Sequence, residues 1–111
     1  MNLDRVQEIS QNYVLVQENI NKAAKDAGRK IDDIKLIVVT KTYPVSDLEI
    51  LYSLGIRDFG ENRDQEATSK VNQLPNEISW HFQGVLQSNK LKSIVNWAKF
   101  IHSISEIKHL E

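Results

Sequence analysis

Apolar residues recur every three or four positions through the N-terminal quarter of the chain, which is the spacing of one helix face. The residues that follow this spacing are Leu3, Val6, Ile9, Tyr13, Val16, Ile20 and either Ala23 or Ala24. The pattern predicts a helix over roughly residues 2 to 27. Gly28 is expected to end this helix, because glycine is favoured just past a helix C-terminus.

Four short apolar runs follow, and each is expected to form a strand. They cover about 34–40, 56–62, 78–82 and 100–104, and the first is rich in β-branched residues and ends at Lys41. Such a run is typical of a buried parallel strand. Helical patterns at about 46–54, 63–73 and 88–97 separate the runs, and Ser105 is expected to cap one more helix.

This alternation predicts an α/β fold of parallel βα units, with about four strands and the helices outside the sheet. Two architectures remain open: a small open sheet, or the first half of a (β/α)8 barrel, which needs about 250 residues. Residues 1–111 are expected to be a single domain, the first half of such a barrel.

The second helix carries a pattern typical of a capping box. Ser46 is followed three positions later by Glu49, and Val45 and Ile50 could form the accompanying hydrophobic staple. This predicts that Ser46 caps the helix, and Gly55 is expected to end it.

Composition narrows the classes of function. The chain has 111 residues, 41% of them hydrophobic, and a net charge of −1, which does not favour a dedicated nucleic-acid binder. The absence of cysteine excludes disulfides, thiolate nucleophiles and cysteine metal sites. The histidines lack metal-site spacing. Because neither a signal peptide nor a membrane-spanning run is present, a cytoplasmic protein is expected.

Candidate chemistry lies where the strands end, since the carboxyl edge of a parallel sheet is where α/β proteins place their sites. Lys41 could form a Schiff base with an aldehyde, and the alternative is a solvated lysine at a strand end. Asn62 offers a donor and an acceptor, and the alternative is turn chemistry. His81 could face a ligand, although a hydrogen-bonded core histidine is the more common role.

Three segments that contain these residues, 39–42, 59–62 and 80–90, resemble the pyridoxal-phosphate homeostasis proteins of the YggS/PROSC type. They occur in that family's order and approximate spacing, and together they are specific, although each alone is not. The resemblance covers nearly the whole chain, but only about the N-terminal half of the family's length.

The resemblance implies an alanine-racemase-like TIM barrel that binds pyridoxal 5′-phosphate (PLP). By motif, Lys41 corresponds to the lysine that holds PLP as a Schiff base, and Asn62 and His81 correspond to positions near the cofactor. Family members are thought to buffer or deliver PLP, so no substrate turnover is expected. Because the family's phosphate-binding segment lies in its second half, this chain alone is expected to bind PLP weakly. A half barrel also leaves two sheet edges open, so the chain is expected to be able to self-associate.

Two positions depart from the family pattern. Tyr43 stands where some members carry a second lysine, and Gln83 replaces a residue that is usually apolar. Two other functions remain open: a PLP-dependent racemase or decarboxylase on the same barrel, which would need a second acid/base group, and a non-catalytic α/β interaction module without a cofactor.

Overall fold

The structure, a computed structural model, describes residues 3–102. Helices and strands alternate along this part of the chain as the hydrophobic pattern predicts. The helices are α1 (Leu3–Asp26), α2 (Val45–Ser53), α3 (Asp64–Gln73) and α4 (Leu91–Trp97), and short 3-10 turns cover Ile31–Asp33 and Ser88–Lys90. The strands are β1 (Val38–Val39), β2 (Asp58–Glu61), β3 (Ser79–Phe82) and β4 (Phe100–Ile101).

The four strands form one parallel sheet in the order β1-β2-β3-β4, which confirms the predicted topology. Helices α2, α3 and α4 each connect two neighbouring parallel strands, as expected for consecutive βα units, and α1 precedes β1. The register places Val39 beside Gly60 and Gly60 beside His81. This register fixes which side chains share a face, because successive residues of a strand point to opposite faces.

The helices cover one face of the sheet. Phe59 of β2 and Trp80 of β3 point to this face and meet edge to face, with ring centroids 5.6 Å apart. The core around them consists of Leu48, Ile56, Leu74 and Ile78, and a second cluster contains Phe82, Leu86 and Ile94. Burial of each large side chain stabilises the fold by about 1.5–3 kcal/mol. On the opposite face, Val39 and Phe100 at the two edges of the sheet are exposed.

Strand β1 is shorter and more exposed than predicted. The apolar run at 34–40 suggested a buried strand, but Val39 is 48% exposed. Among the described residues β1 pairs with β2 alone, so one side of it has no neighbouring strand. A continuous apolar run predicts burial on both faces and carries no information about which strand lies at an edge.

The capping box predicted at Ser46 is wrong. Helix α2 begins at Val45, one residue before Ser46, and Pro44 occupies the cap position in an extended conformation. Proline fixes its own φ near the value that precedes a helix and lacks an N–H to satisfy, so it can start the helix without a serine. Gly55 ends α2 as predicted, with a φ of +99°.

Helix α1 is fastened to α2 by an ion pair. The Arg5 guanidinium donates two hydrogen bonds to the Asp47 carboxylate, at 3.0 Å and 2.7 Å. Asp47 is buried in the first turn of α2, and its carboxylate raises the pKa of Arg5 above its ordinary value. None of the helices within residues 3–102 has the length and apolar character needed to cross a membrane.

The three remaining sequence predictions concern the C-terminal part of the chain. Helix α4 was predicted to begin at 88, but a 3-10 turn occupies Ser88–Lys90 and the helix starts at Leu91. The fourth strand was predicted over 100–104, of which the structure describes the part up to 102. The helix predicted at Ser105 lies outside the described residues.

Candidate functional site

Lys41, Asn62 and Gln83 each follow the carboxyl end of a strand, β1, β2 and β3 respectively. Val39 pairs with Gly60 and Gly60 with His81, and the three residues come two positions after these paired residues, at the same edge of the sheet. The backbone ladder extends towards this edge, because Thr40 N–H donates to the Gly60 carbonyl at 2.8 Å and Gln83 N–H donates to the Glu61 carbonyl at 2.9 Å. Lys41, Asn62 and Gln83 are together called the carboxyl-edge row below.

Lys41 begins the turn between β1 and α2, and its side chain is exposed. The turn closes through a hydrogen bond from Tyr43 N–H to the Thr40 carbonyl at 3.2 Å. Thr42 has a φ of +66°, the left-handed region that β-branched residues rarely adopt. The backbone around Lys41 therefore has a conformation that its local sequence does not favour.

Asn62 is half-buried and lies against Gly84 in the segment after β3. A Cβ at position 84 would stand 2.6 Å from the Asn62 carbonyl oxygen, so only glycine permits this approach. A cleft lies beside Asn62, between the start of α3 and the segment that follows β3, and Lys90 also lines it.

Gln83 fills the space that Gly60 leaves on the neighbouring strand. A Cβ at position 60 would stand 2.1 Å from Gln83 Oε1. This buried oxygen has no hydrogen-bond partner. Because buried polar atoms are normally paired, this oxygen is available to accept a hydrogen bond from a further group.

His81 is 2% exposed, and both of its ring nitrogens have partners. Nε2 lies 2.9 Å from Asp58 Oδ1, and Nδ1 lies 2.7 Å from Nε2 of His102. The Asp58 carboxylate can only accept, so in a neutral His81 ring the proton is on Nε2 and Nδ1 accepts from His102. His81 thus takes the hydrogen-bonded core role, and its ring also stacks on Phe100 at 4.6 Å.

A cluster of buried charges lies behind the carboxyl-edge row, on the helix side. Lys70 of α3 is 5% exposed and pairs with Glu61 at 2.7 Å and with Glu66 at 3.0 Å. Glu61 is 1% exposed and is the last residue of β2. Lys70 Nζ also donates to the carbonyl of Thr40 at 2.6 Å. We call Glu61, Glu66 and Lys70 the charge cluster.

The two carboxylates of the charge cluster titrate differently. Burial raises the pKa of Glu61, and the Lys70 ammonium offsets part of this rise. Burial alone would also raise the pKa of Glu66, but the Thr42 N–H and the Lys70 ammonium outweigh burial and lower it. Glu66 Oε1 accepts the Thr42 N–H at 2.5 Å, so its negative charge is held beside the turn that contains Lys41.

The structure thus places Lys41 and Asn62 just after the carboxyl ends of the neighbouring strands β1 and β2, whereas His81 lies within β3. Sequence reasoning missed the charge cluster, Gln83 as a candidate ligand contact, and the Asp58–His81–His102 chain. A signal for Lys70 was present, because Ala67, Lys70, Val71 and Leu74 follow the spacing of one helix face. A lysine on an apolar helix face suggests a buried partner. Within residues 3–102, no group of histidine and acidic side chains could hold a metal ion.

Comparison with known proteins finds relatives that share one name. A pyridoxal phosphate homeostasis protein of Mycobacterium tuberculosis is 34% identical over 112 residues, which cover 91% of this chain and 43% of that protein. Proteins of the same name from Pseudomonas aeruginosa and Synechocystis are 38% identical over 90% of the chain and 46% identical over 67% of it. The matched region covers 44% of the Pseudomonas aeruginosa protein and 35% of the Synechocystis protein, so this chain spans less than half the length of these relatives. No family model matches the chain.

Solved structures give the same result. The structure of PipY from Synechococcus elongatus with PLP bound superposes with a TM-score of 0.65 at 35% identity, over 80% of this chain and 43% of that one. An unknown protein from Bifidobacterium adolescentis superposes with a TM-score of 0.86 at 27% identity, over 97% of this chain and 49% of that one. These structural neighbours have a TIM-barrel-like fold.

The fold and the carboxyl-edge row define an α/β protein of parallel βα units with a lysine at the carboxyl edge of its sheet. The chain is a homologue of the pyridoxal phosphate homeostasis proteins, as its motifs indicated. It matches them over about nine tenths of its own length.

Proposed function

We propose that this protein binds PLP through Lys41 and takes part in PLP homeostasis. The observation that carries the proposal is the position of Lys41, exposed at the carboxyl edge of a parallel sheet where Asn62 also follows a strand. Homologues named for PLP homeostasis, and a homologous structure with PLP bound, support PLP as the cofactor. Bound PLP supplies an aldehyde, and the Lys41 amine would condense with it to a Schiff base with release of one water.

The residues of the carboxyl-edge row fit this cofactor. Lys41 supplies the amine, and the Asn62 amide supplies one donor group and one acceptor. The unpaired Oε1 of Gln83 supplies a further acceptor at the same edge of the sheet. Because both ring nitrogens of His81 are engaged, we assign it to the wall of the pocket, where it contributes ring surface.

We propose a carrier or regulatory role without substrate turnover. The relatives' name, which describes homeostasis and no reaction, supports this role. We also propose that the protein acts in the cytoplasm, which agrees with the absence of cysteine from the sequence. Racemisation or decarboxylation of an amino acid by the complete protein would contradict the proposed role and favour the enzyme alternative.

Borohydride reduction tests the assignment of Lys41. The complete protein is incubated with PLP, reduced, digested and mapped by mass spectrometry, with Lys41→Ala and Lys35→Ala treated in parallel. Lys35 is an exposed lysine near the opposite end of the same apolar run, so it is a matched control. We expect the label on Lys41 in the wild type and in Lys35→Ala, and its loss in Lys41→Ala. A label on another lysine, or none, would exclude the assignment.

For residues 1–111 alone we propose weak PLP binding and self-association. The edge strands β1 and β4 expose Val39, Phe100 and Ile101, and unpaired strand edges favour association. Light scattering of this polypeptide at high concentration tests the second part. A monodisperse monomer would contradict self-association, whereas PLP affinity equal to that of the complete protein would contradict weak binding.

A further inference from the structure

Two peptide groups connect Lys41 to its neighbours in the chain, and helix α3 holds both of them. The peptide before Lys41 contains the Thr40 carbonyl, which accepts from Lys70 Nζ at 2.6 Å. The peptide after Lys41 contains the Thr42 N–H, which donates to Glu66 Oε1 at 2.5 Å. The backbone on either side of the candidate cofactor lysine is therefore fixed by two side chains that lie one helical turn apart.

These contacts hold Thr42 in an unfavourable backbone conformation. Thr42 has a φ of +66°, which costs free energy for a β-branched residue. The surrounding structure must outweigh that cost, and Glu66 provides a charged acceptor for the N–H of the same residue. Loss of this acceptor would remove the contact that opposes relaxation of the turn.

The charge cluster is well suited to hold a backbone in place. Lys70 and Glu61 are almost fully buried, so water does not compete for their charges. Lys70 also pairs with Glu66 across one helical turn, which restrains the carboxylate that reaches Thr42. The last residue of β2, the middle of α3 and the turn after β1 are thus joined through one ammonium group.

We propose that Glu66 and Lys70 are positioning residues for Lys41. They act through the two peptide groups that flank it, and they set the direction in which its amine leaves the sheet edge. The proposal rests on the proposed function, since it assigns these residues a role only if Lys41 holds the cofactor. Neither residue is assigned a contact with PLP.

The test uses Glu66→Ala, which removes the acceptor, and Glu66→Gln, whose amide oxygen can still accept from Thr42 N–H. Glu77→Ala is the matched control, because Glu77 is exposed and bonds the Tyr52 hydroxyl, away from the turn. Three quantities are measured on the complete protein: hydrogen exchange of the Thr42 amide without PLP, the PLP dissociation constant by absorbance titration, and the urea midpoint of unfolding.

In Glu66→Ala we expect hydrogen exchange of the Thr42 amide to be about tenfold faster than in the wild type. A factor of this size corresponds to the loss of one ordinary hydrogen bond. We expect PLP binding to weaken by a similar factor, about tenfold, although the protein remains folded. Glu66→Gln is expected to recover most of both effects, and Glu77→Ala to match the wild type in both. A merely structural role would lower the urea midpoint and leave the PLP affinity of the folded protein unchanged.

The outcomes separate the two proposals. If borohydride does not label Lys41 in the wild type, the proposed function fails, whatever the variants show. If the wild type is labelled and Glu66→Ala binds PLP as tightly as the wild type, the positioning role alone fails. If Glu66→Ala does not fold, Glu66→Asp takes its place, because its shorter side chain withdraws the acceptor from Thr42 N–H: weaker PLP binding than in Glu66→Gln supports the positioning role, and affinity equal to that of the wild type overturns it.

Discussion

The side-chain amide of Gln83 lies over Gly60, in the space that a side chain at position 60 would occupy. Gly60 is in β2 and Gln83 directly follows the adjacent strand β3, and a Cβ at position 60 would approach Gln83 Oε1 to 2.1 Å. The obstructing atom is the end of a flexible side chain, so it can move aside. A substitution at position 60 therefore tests whether the Gln83 side chain can move aside or is held rigidly.

We expect Gly60→Ala to be less costly than Gly84→Ala. The first substitution displaces the Gln83 amide and should lower the free energy of unfolding by less than about 1 kcal/mol. The second meets the backbone oxygen of Asn62 at 2.6 Å and should cost about 1–3 kcal/mol. Urea unfolding of both variants measures the difference, and equal costs would show that the row is as rigid at Gln83 as at Asn62.

Lys70→Met is expected to be strongly destabilising. It leaves Glu61 buried without its cation, and the loss of one partner of a buried pair costs about 3–5 kcal/mol. The double variant Lys70→Met/Glu61→Gln should be more stable than Lys70→Met alone, because it removes the stranded charge. Thermal unfolding of the wild type, both single variants and the double variant gives the coupling energy, and simple additivity would contradict a direct interaction.

The contribution of Glu66 to stability should depend on pH. Its pKa in the folded protein lies below the ordinary value of 4.5, so its stabilising effect is complete above that value and is lost as the pH falls through the folded pKa. The wild type should exceed Glu66→Gln in unfolding free energy near neutrality, and the difference should shrink in acid. The charged groups around Glu66 are Lys70, Glu61 and Arg63.

Urea unfolding between about pH 3 and about pH 7 measures this difference. Gln65→Ala is the control, because it changes a neighbouring exposed residue of α3 without removing a titrating group. Its difference from the wild type should not vary with pH. A Glu66→Gln difference that grows towards acid would show that the sign of the pKa shift is wrong.

Asp58→Ala should change the tautomer of His81. In the wild type the Asp58 carboxylate keeps the proton of the neutral ring on Nε2, and Nδ1 accepts from His102. Without Asp58 the Nε2–H has no acceptor, which costs about 1–3 kcal/mol and lets the Nδ1–H form compete. Nitrogen NMR of the ring distinguishes the two tautomers, and an unchanged His81 spectrum would exclude the proposed chain of hydrogen bonds.

Ser46→Ala should have almost no effect on stability. Ser46 lies inside α2 and does not occupy the cap, so a change within about 0.5 kcal/mol is expected, as for other surface positions. Asp47→Ala should be clearly more destabilising, because it removes the carboxylate that holds Arg5 of α1. If Ser46→Ala lowers the free energy of unfolding by about 1 kcal/mol or more, roughly the effect of losing a helix cap, then Ser46 does cap α2.

The topology could be predicted from the sequence because it depends on local periodicity. The alternation of helical and strand patterns, with stops at Gly28 and Gly55, gave the order of the elements and the parallel sheet. The position of Lys41 at the carboxyl edge followed from that order. The limits of β1 and the start of α2 could not be predicted, because an apolar run does not reveal an edge strand and Pro44 competes with Ser46 as the cap.

The partners of the candidate site could not be predicted, because they depend on three-dimensional register. Lys70 contacts Thr40 across 30 positions of sequence, and His81 contacts Asp58 across 23. No local pattern encodes such pairs. The prediction that Lys41, Asn62 and His81 form the cofactor site remains a prediction, whereas the homology to PLP homeostasis proteins is confirmed.

The long sequence separation of the Thr42–Glu66 and Thr40–Lys70 contacts has a consequence for folding. The turn at Lys41 is made early along the chain, but the groups that hold it come 24 and 30 residues later. During synthesis the lysine therefore emerges before its final geometry exists, and it can acquire that geometry only when α3 docks on the sheet. If Lys41 holds PLP as proposed, a nascent chain should bind the cofactor only after the third helix has been synthesised and has docked.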